Sequence, residues 1–201
     1  MIQILLAEDQ AMVRGALAAL LRLEADIQVV AEVARGDEVV PAALETRPDV
    51  ALLDIEMPGG DGLNAARMLR QSLPACRVVI LTTFGRSGYL RQAMESGAVG
   101  FLLKDAPAAE LALAIRRVMT GERVVDPELA LAALSEGDNP LTRRERDVLT
   151  KALDGASIAE MAAQLVLSEG TVRNHISTAI QKVGARNRIE AARLAEQKGW
   201  L

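Results

Sequence analysis

Asp49-Val-Ala-Leu-Leu-Asp54, running on into Ile55-Glu-Met-Pro-Gly-Gly-Asp-Gly62, is the stretch that decides the fold of the first part of this 201-residue chain. The apolar run between the two aspartates is too short for a helix and shows no polar alternation, so it reads as a strand covered on both faces. Pro58-Gly-Gly60 then turns the chain sharply and leaves Asp54 at the carboxyl end of that strand. Working outward, similar apolar runs stand at 2–7, 27–33, 77–82 and 99–103, with helical patterns between them and a further helix at 107–120. Such alternation predicts a five-stranded, doubly wound parallel sheet with right-handed crossovers. Sites in sheets of this kind lie at the carboxyl ends of the strands. Those ends hold Glu8-Asp9, Asp54, Thr82-Thr83 and Lys104.

Three carboxylates brought together at Glu8, Asp9 and Asp54 cannot all stay ionised without a cation. Hard oxygen ligands with room for water suit Mg²⁺, an ion that draws a phosphoryl donor toward a carboxylate and offsets charge in the transfer. Asp54 is then the candidate nucleophile, forming an acyl phosphate. The hydroxyl of Thr82 and the ammonium of Lys104 are the candidate donors to its oxygens. Taken singly, each acid also admits the reading of a surface charge or a helix cap, and Lys104 alone reads as a solvated lysine. Their placement at successive strand ends sets the group apart.

Length allows two modest domains, each with its own core. The N-terminus opens directly into a strand pattern, unlike a signal peptide, and no window approaches a membrane span. The expected protein is therefore soluble, with no membrane partner. The single cysteine, Cys76, points to a cytoplasmic chain and to a structural thiol. Charge is uneven: residues 1–140 carry 13 Lys+Arg against 20 Asp+Glu, and residues 141–201 carry 10 against 7. The acidic front and basic tail suggest different partners, the tail a polyanion.

Glu8-Asp9, Asp54, Thr82 and Lys104, with the Met57-Pro58…Asp61-Gly62 turn and Phe101-Leu-Leu-Lys104, resemble the receiver domain of bacterial two-component response regulators, a flavodoxin-like fold. The resemblance covers about residues 1–120. It implies that Asp54 accepts phosphate from a sensor histidine kinase. It implies a Mg²⁺ site of Glu8, Asp9 and Asp54 with the main-chain carbonyl of Glu56, and phosphoryl binding by Thr82 and Lys104. Phe101 matches the aromatic position whose rotamer follows activation. Two departures stand out: Glu8 replaces the commoner aspartate, and Asp105 follows the lysine where many receivers carry proline. Phe84 is expected to border the phosphoryl group and to hinder attacking water.

Residues 121–140 break the rhythm with Gly121, Pro127 and Gly137-Asp-Asn-Pro140 around one short apolar segment, and read as a linker. From 141 on, every pattern is helical. Thr142…Glu145, Ser157…Glu160 and Asn187…Glu190 each have the spacing of a capping box, and a further helix is expected to start near Ser168. On that helix Val172, Ile176, Ile180 and Val183 form an inward stripe. Arg173, Asn174, Ser177, Gln181 and Lys182 lie mostly on the other side, a face read as rich in donors and free of acids. Such a face suits the DNA major groove, where Arg pairs with guanine and Asn with adenine.

Leu141-Thr-Arg-Arg-Glu-Arg-Asp-Val-Leu149 through Asn187-Arg-Ile-Glu-Ala191 is similar to the LuxR/NarL-type helix-turn-helix domain, over residues 141–201. The similarity implies DNA contacts from Thr171, Arg173, Asn174 and Ser177, a phosphate contact from Lys182, and a structural role for Glu145. Ser177 replaces a commonly basic residue, which lowers the expected salt slope. His175 reads as a packing residue or one near DNA, and Trp200 as packing the last helix.

The helix expected at 10–24 is apolar almost all round, through Met12, Val13, Leu17, Leu20, Leu21 and Leu23. With Leu113 on helix 107–120, it predicts a homodimer favoured by phosphorylation. The reading is thus a Mg²⁺-dependent, phosphorylation-activated transcription regulator whose partners are a sensor histidine kinase, double-stranded DNA, a second copy of the chain and, as a further candidate, RNA polymerase. It is not expected to be an enzyme. The rivals are a Mg²⁺-dependent phosphohydrolase with Asp54 as nucleophile, and a phosphate-independent DNA-binding protein.

Overall fold

The structure is a computed structural model that describes residues 1–83, 87–105, 107–127, 129–131 and 139–201. Phe84 and linker residues 132–138 lie outside the described residues. The described residues divide into two compact units, one built on a sheet and one on helices.

In the first unit the strands are β1 (Ile2–Ala7), β2 (Ile27–Val33), β3 (Val50–Asp54), β4 (Arg77–Thr82), β5 (Gly100–Leu103) and β6 (Val124–Val125). The sheet is parallel throughout, in the order β2-β1-β3-β4-β5-β6. The helices are α1 (Ala11–Leu21), α2 (Gly36–Thr46), α3 (Gly62–Ser72), α4 (Ser87–Ser96) and α5 (Ala108–Met119). Every residue of β3 is buried, as its uninterrupted apolar run requires. In register, Leu52 lies between Leu6 and Val79, and Asp54 lies beside Leu81. Ile4, Leu6, Leu52, Val79 and Leu81 share a core with Ala18 and Leu21 of α1 and with Leu111, Ala114, Ile115 and Val118 of α5. Burying a side chain of this size stabilises by roughly 1.5–3 kcal/mol, so this layer fixes α1 and α5 to one face.

The sheet has six strands where the sequence predicts five. β6 falls in the stretch read as linker, where Val124 N–H donates to Val99 O at 2.9 Å and Asp126 N–H to Phe101 O at 3.1 Å. Two residues between polar neighbours carry no usable periodicity. Only the edge offered by β5 makes them a strand.

Two close approaches shape the turn after β3. A Cβ on Gly62 would stand 2.0 Å from the carbonyl oxygen of Asp54, and one on Gly36 would stand 1.8 Å from that of Gly60. Glycine is the residue that lets backbones meet this closely. Gly62 N–H donates to Ile55 O, and Gly36 N–H to Pro58 O. The turn is therefore pinned to its own strand and to the start of α2.

The second unit holds α6 (Arg143–Leu153), α7 (Ile158–Leu165), α8 (Glu169–Val183) and α9 (Arg188–Gln197). They pack on a core that includes Leu141, Val148, Leu149, Met161, Val172, Ile176 and Ala191. Thr142 with Glu145, and Ser157 with Glu160, form complete capping boxes. The third expected box is only half formed. Asn187 Oδ1 accepts from Ile189 N and Glu190 N, but the Glu190 carboxylate turns to the backbone and guanidinium of Arg186. A bidentate charged partner one residue earlier outcompetes the single N–H of Asn187.

Candidate functional site

The sheet order reverses between β1 and β3, so the carboxyl ends of β1, β3, β4 and β5 open on one crevice. Glu8 follows β1, where its N–H donates to Val33 O and its carbonyl accepts from Arg14 Nη1. Its side chain is buried, as are those of Asp54 and Thr82. Glu8, Asp9 and Asp54 each offer an oxygen within 4.8 Å of the others'. Lys104, after β5, reaches between them: Nζ is 2.6 Å from Glu8 Oε2 and 2.9 Å from Asp54 Oδ2. A cavity of about 110 Å³ is lined by Asp9, Asp54, Glu56, Thr82, Thr83 and Lys104. Asp9 and Glu56 are exposed at it. Phe101 is completely buried in β5 and stands apart from the cavity lining.

Burial lifts the Glu8 carboxyl above its ordinary value, the Asp54 charge adds to this, and Lys104 offsets only part. For Lys104 burial alone acts downward, but the two carboxylates outweigh it and hold the ammonium above its ordinary value. Glu8 Oε2 lies at ion-pair distance from the Lys104 ammonium, 2.6 Å away. The residues therefore fit a small hard cation: the donors are all oxygen, Lys104 offsets only part of their charge, and a cavity adjoins them. Gln10 N–H donates to Glu8 Oε1 at 3.2 Å, and Gly62 lets the β3 turn close on Asp54. The sequence marks Gly62 as part of the Asp61-Gly62 turn but not its contact with Asp54, and it gives no signal for the Gln10 bond.

In the second unit the inward stripe of α8 is Val172, Ile176 and Ala179, with Ile180 and Val183 partly buried. Arg173, Asn174 and Ser177 are exposed, while Thr171 and His175 are half-buried. Ser168 caps the helix, accepting from Thr171 N, and its hydroxyl is 2.8 Å from that of Thr171. The face is not free of acids: Glu169 Oε2 accepts from Arg173 Nη2 at 3.0 Å. It stands one turn earlier on the helix, outside the span read from sequence. Lys182 Nζ lies 2.8 Å and 3.0 Å from the two carboxylate oxygens of the buried Glu145, which ties α8 to the cap of α6. Burial acts upward on the Glu145 carboxyl, but Lys182 and the Thr142 N–H outweigh it and hold it below the ordinary range. Trp200 packs on the same core, and its carbonyl accepts from Asn139 Nδ2.

A carboxylate crevice on a doubly wound sheet, joined to a helix-turn-helix unit, defines a response regulator. Residues 4–116 match the response regulator receiver domain, and residues 139–195 match the bacterial regulatory proteins of the luxR family. The chain belongs to the response regulators that carry a LuxR-family DNA-binding domain, and it is a transcription regulator. It is 48% identical over 201 residues to the transcriptional regulatory protein DesR of Bacillus subtilis (strain 168), covering 100% of both chains. The crystal structure of the response regulator ChrA of a heme-sensing two-component system is 35% identical, with 100% of this chain and 98% of that one covered and a TM-score of 0.60. The response regulator RcsB in complex with DNA shares the fold, with a TM-score of 0.70 at 21% identity over 98% of each chain. The RcsB structure contains DNA, and response regulators pair with sensor kinases. Among the described residues no helix is long and apolar enough to cross a membrane.

Proposed function

We propose that the chain is activated by phosphoryl transfer from a sensor histidine kinase to Asp54, and that the modified protein dimerises and binds paired DNA half-sites. The single observation that carries this reading is the cluster of Glu8, Asp9 and Asp54, with Lys104 paired to Glu8 and Asp54, beside one small cavity that Asp9, Asp54 and Lys104 line. A carboxylate oxygen of Asp54 forms the new bond to phosphorus, while the P–N bond to the donor imidazole breaks and the imidazole leaves with the electron pair. Mg²⁺ held by Glu8, Asp9, Asp54 and the Glu56 carbonyl would supply charge neutralisation for the phosphoryl oxygens. Lys104 already stands beside Asp54 and needs no large movement to take a phosphoryl oxygen. Thr82, buried at the cavity wall, contributes its hydroxyl. Phe101, buried in the neighbouring strand opposite Ile80, would follow the movement of Thr82.

The dimer reading is supported by α1 and α5. Met12 is 87% exposed, Leu23 80% and Leu113 54%, an apolar surface beyond what a lone receiver needs. Arg116 of α5 binds Asp26 and Glu24 beyond the end of α1, which holds the two helices as one face. The DNA reading takes Thr171, Arg173, Asn174 and Ser177 to the bases or adjoining phosphates, with RNA polymerase as a further partner at a promoter. Lys182 serves a phosphate only if it keeps Glu145 as a second partner, since its ammonium has donors for both. The proposed receiver runs to about residue 120 with β6 added from the linker, and the DNA-binding unit starts at Leu141.

Sedimentation and DNA binding with and without a beryllium fluoride phosphoryl mimic test the scheme. Association and DNA affinity that rise together with the mimic support it; identical association in both states removes phosphorylation as the driver.

A further inference from the structure

α8 carries two permanent cations, Arg173 and Lys182, and each is held by a carboxylate of its own unit. The two pairs differ in kind. Glu145, partner of Lys182, is buried and also accepts from Thr142 N–H, so that pair has a structural task in joining α6 to α8. Glu169, partner of Arg173, is exposed like the arginine itself, and the helix start is already capped by Ser168. It occupies the first residue of α8, at the end by which recognition helices meet bases and adjoining phosphates.

An acid at that position acts on DNA in two ways. It repels the phosphates drawn to a helix N-terminus, and it offers the Arg173 guanidinium a carboxylate already at hydrogen-bond distance. We propose that Glu169 is a specificity-determining residue, one that withholds Arg173 from phosphates and yields it to a base edge. A non-cognate duplex offers the guanidinium mainly phosphate contacts, which carry no sequence information. A cognate duplex offers a guanine O6/N7 pair in fork geometry, and that contact displaces the carboxylate. Glu169 thereby lowers non-specific affinity more than specific affinity. The inference rests on α8 being the helix that enters the major groove.

The test uses the full-length protein and two duplexes of equal length, one obtained by in vitro selection with the unsubstituted protein and one unrelated in sequence. Kd and its salt dependence are measured for the unsubstituted chain, Glu169→Gln, Arg173→Ala and the double variant. Glu169→Gln is expected to tighten the unrelated duplex by up to about fivefold, the factor that an exposed ion pair is worth. The selected duplex gains less, so the ratio of the two affinities falls. On the unrelated duplex the slope of log K against log salt steepens by about one, the contribution of one further phosphate contact. In the Arg173→Ala background the ratio no longer responds to residue 169. A ratio unchanged or raised by Glu169→Gln overturns the proposal, because a carboxylate that only stabilises the helix start alters both duplexes alike. Arg173→Ala without effect on the selected duplex overturns the reading of α8 itself, which separates the two failures.

Discussion

The ammonium of Lys104 lies 2.9 Å from Asp54 Oδ2, which links the end of β5 to the end of β3 across β4. The same nitrogen meets Glu8 at 2.6 Å, so one buried cation serves two buried carboxylates. Taking it away leaves two buried carboxylates facing each other with no positive partner between them. Lys104→Met is expected to destabilise the sheet unit by about 3 kcal/mol, as for other broken buried pairs. Added Mg²⁺ recovers part of the loss. Urea unfolding followed by circular dichroism, with and without Mg²⁺, measures both effects.

The Gly62 contact gives a second expectation. A methyl at this position would overlap the Asp54 carbonyl at 2.0 Å, and the turn cannot retreat freely, because Gly36 N–H holds Pro58 O at 3.0 Å. Gly62→Ala is expected to cost about 3 kcal/mol by forcing the backbone apart at overpacked contacts. It should also weaken Mg²⁺ binding, measured by titration calorimetry. A variant with unaltered melting temperature and Mg²⁺ affinity contradicts the account of this turn.

In the helical unit Glu145 yields a pH dependence. Its carboxyl sits below the ordinary range when folded, since Lys182 and Thr142 N–H outweigh its burial. A depressed carboxyl contributes stability that is present above its unfolded value, about 4.3. That contribution is lost as pH falls through the lower folded value. Glu145→Gln should therefore cost about 1–2 kcal/mol near pH 7, in line with hydrogen bonds to charged groups. The gap to the unsubstituted chain should close in acid. Thermal melts across a pH series show whether the two curves converge downward in pH.

Val166 offers a stabilising change. It ends α7 with φ +56° and is 90% exposed, so it bears the left-handed strain of a β-branched residue with almost no burial in return. That strain is roughly 1–2 kcal/mol, and glycine gives back part of it through chain entropy. Val166→Gly is expected to stabilise the helical unit by about 0.5–1 kcal/mol. Denaturant midpoints read the change, and a midpoint moved downward contradicts the strain argument.

How far the sequence can be read follows from the range of each interaction. The buried strands announced themselves because β1, β3 and β4 are mostly apolar runs, β3 and β4 ending in Asp54 and Thr82 and β1 leading straight into Glu8. Local caps such as Thr142 with Glu145 were legible because both partners sit within one turn. β6 was not, since Val124-Val125 is a strand only by virtue of β5. Nor could spacing show that Lys182 meets Glu145, 37 residues away, or that Gly36 must be bare to admit Gly60. The Arg173–Glu169 pair was within reach, as an acid four residues before a base on one helix is a favoured arrangement.

The central claim is that the carboxylate crevice exists to put a phosphoryl group on Asp54. Intact-mass spectrometry of the purified protein, incubated with Mg²⁺ and acetyl phosphate and compared with Asp54→Asn, tests it most directly. The account predicts one labile phosphoryl adduct that maps to residue 54, requires Mg²⁺ and is absent from the variant. An adduct that never forms, or forms equally on Asp54→Asn, contradicts it.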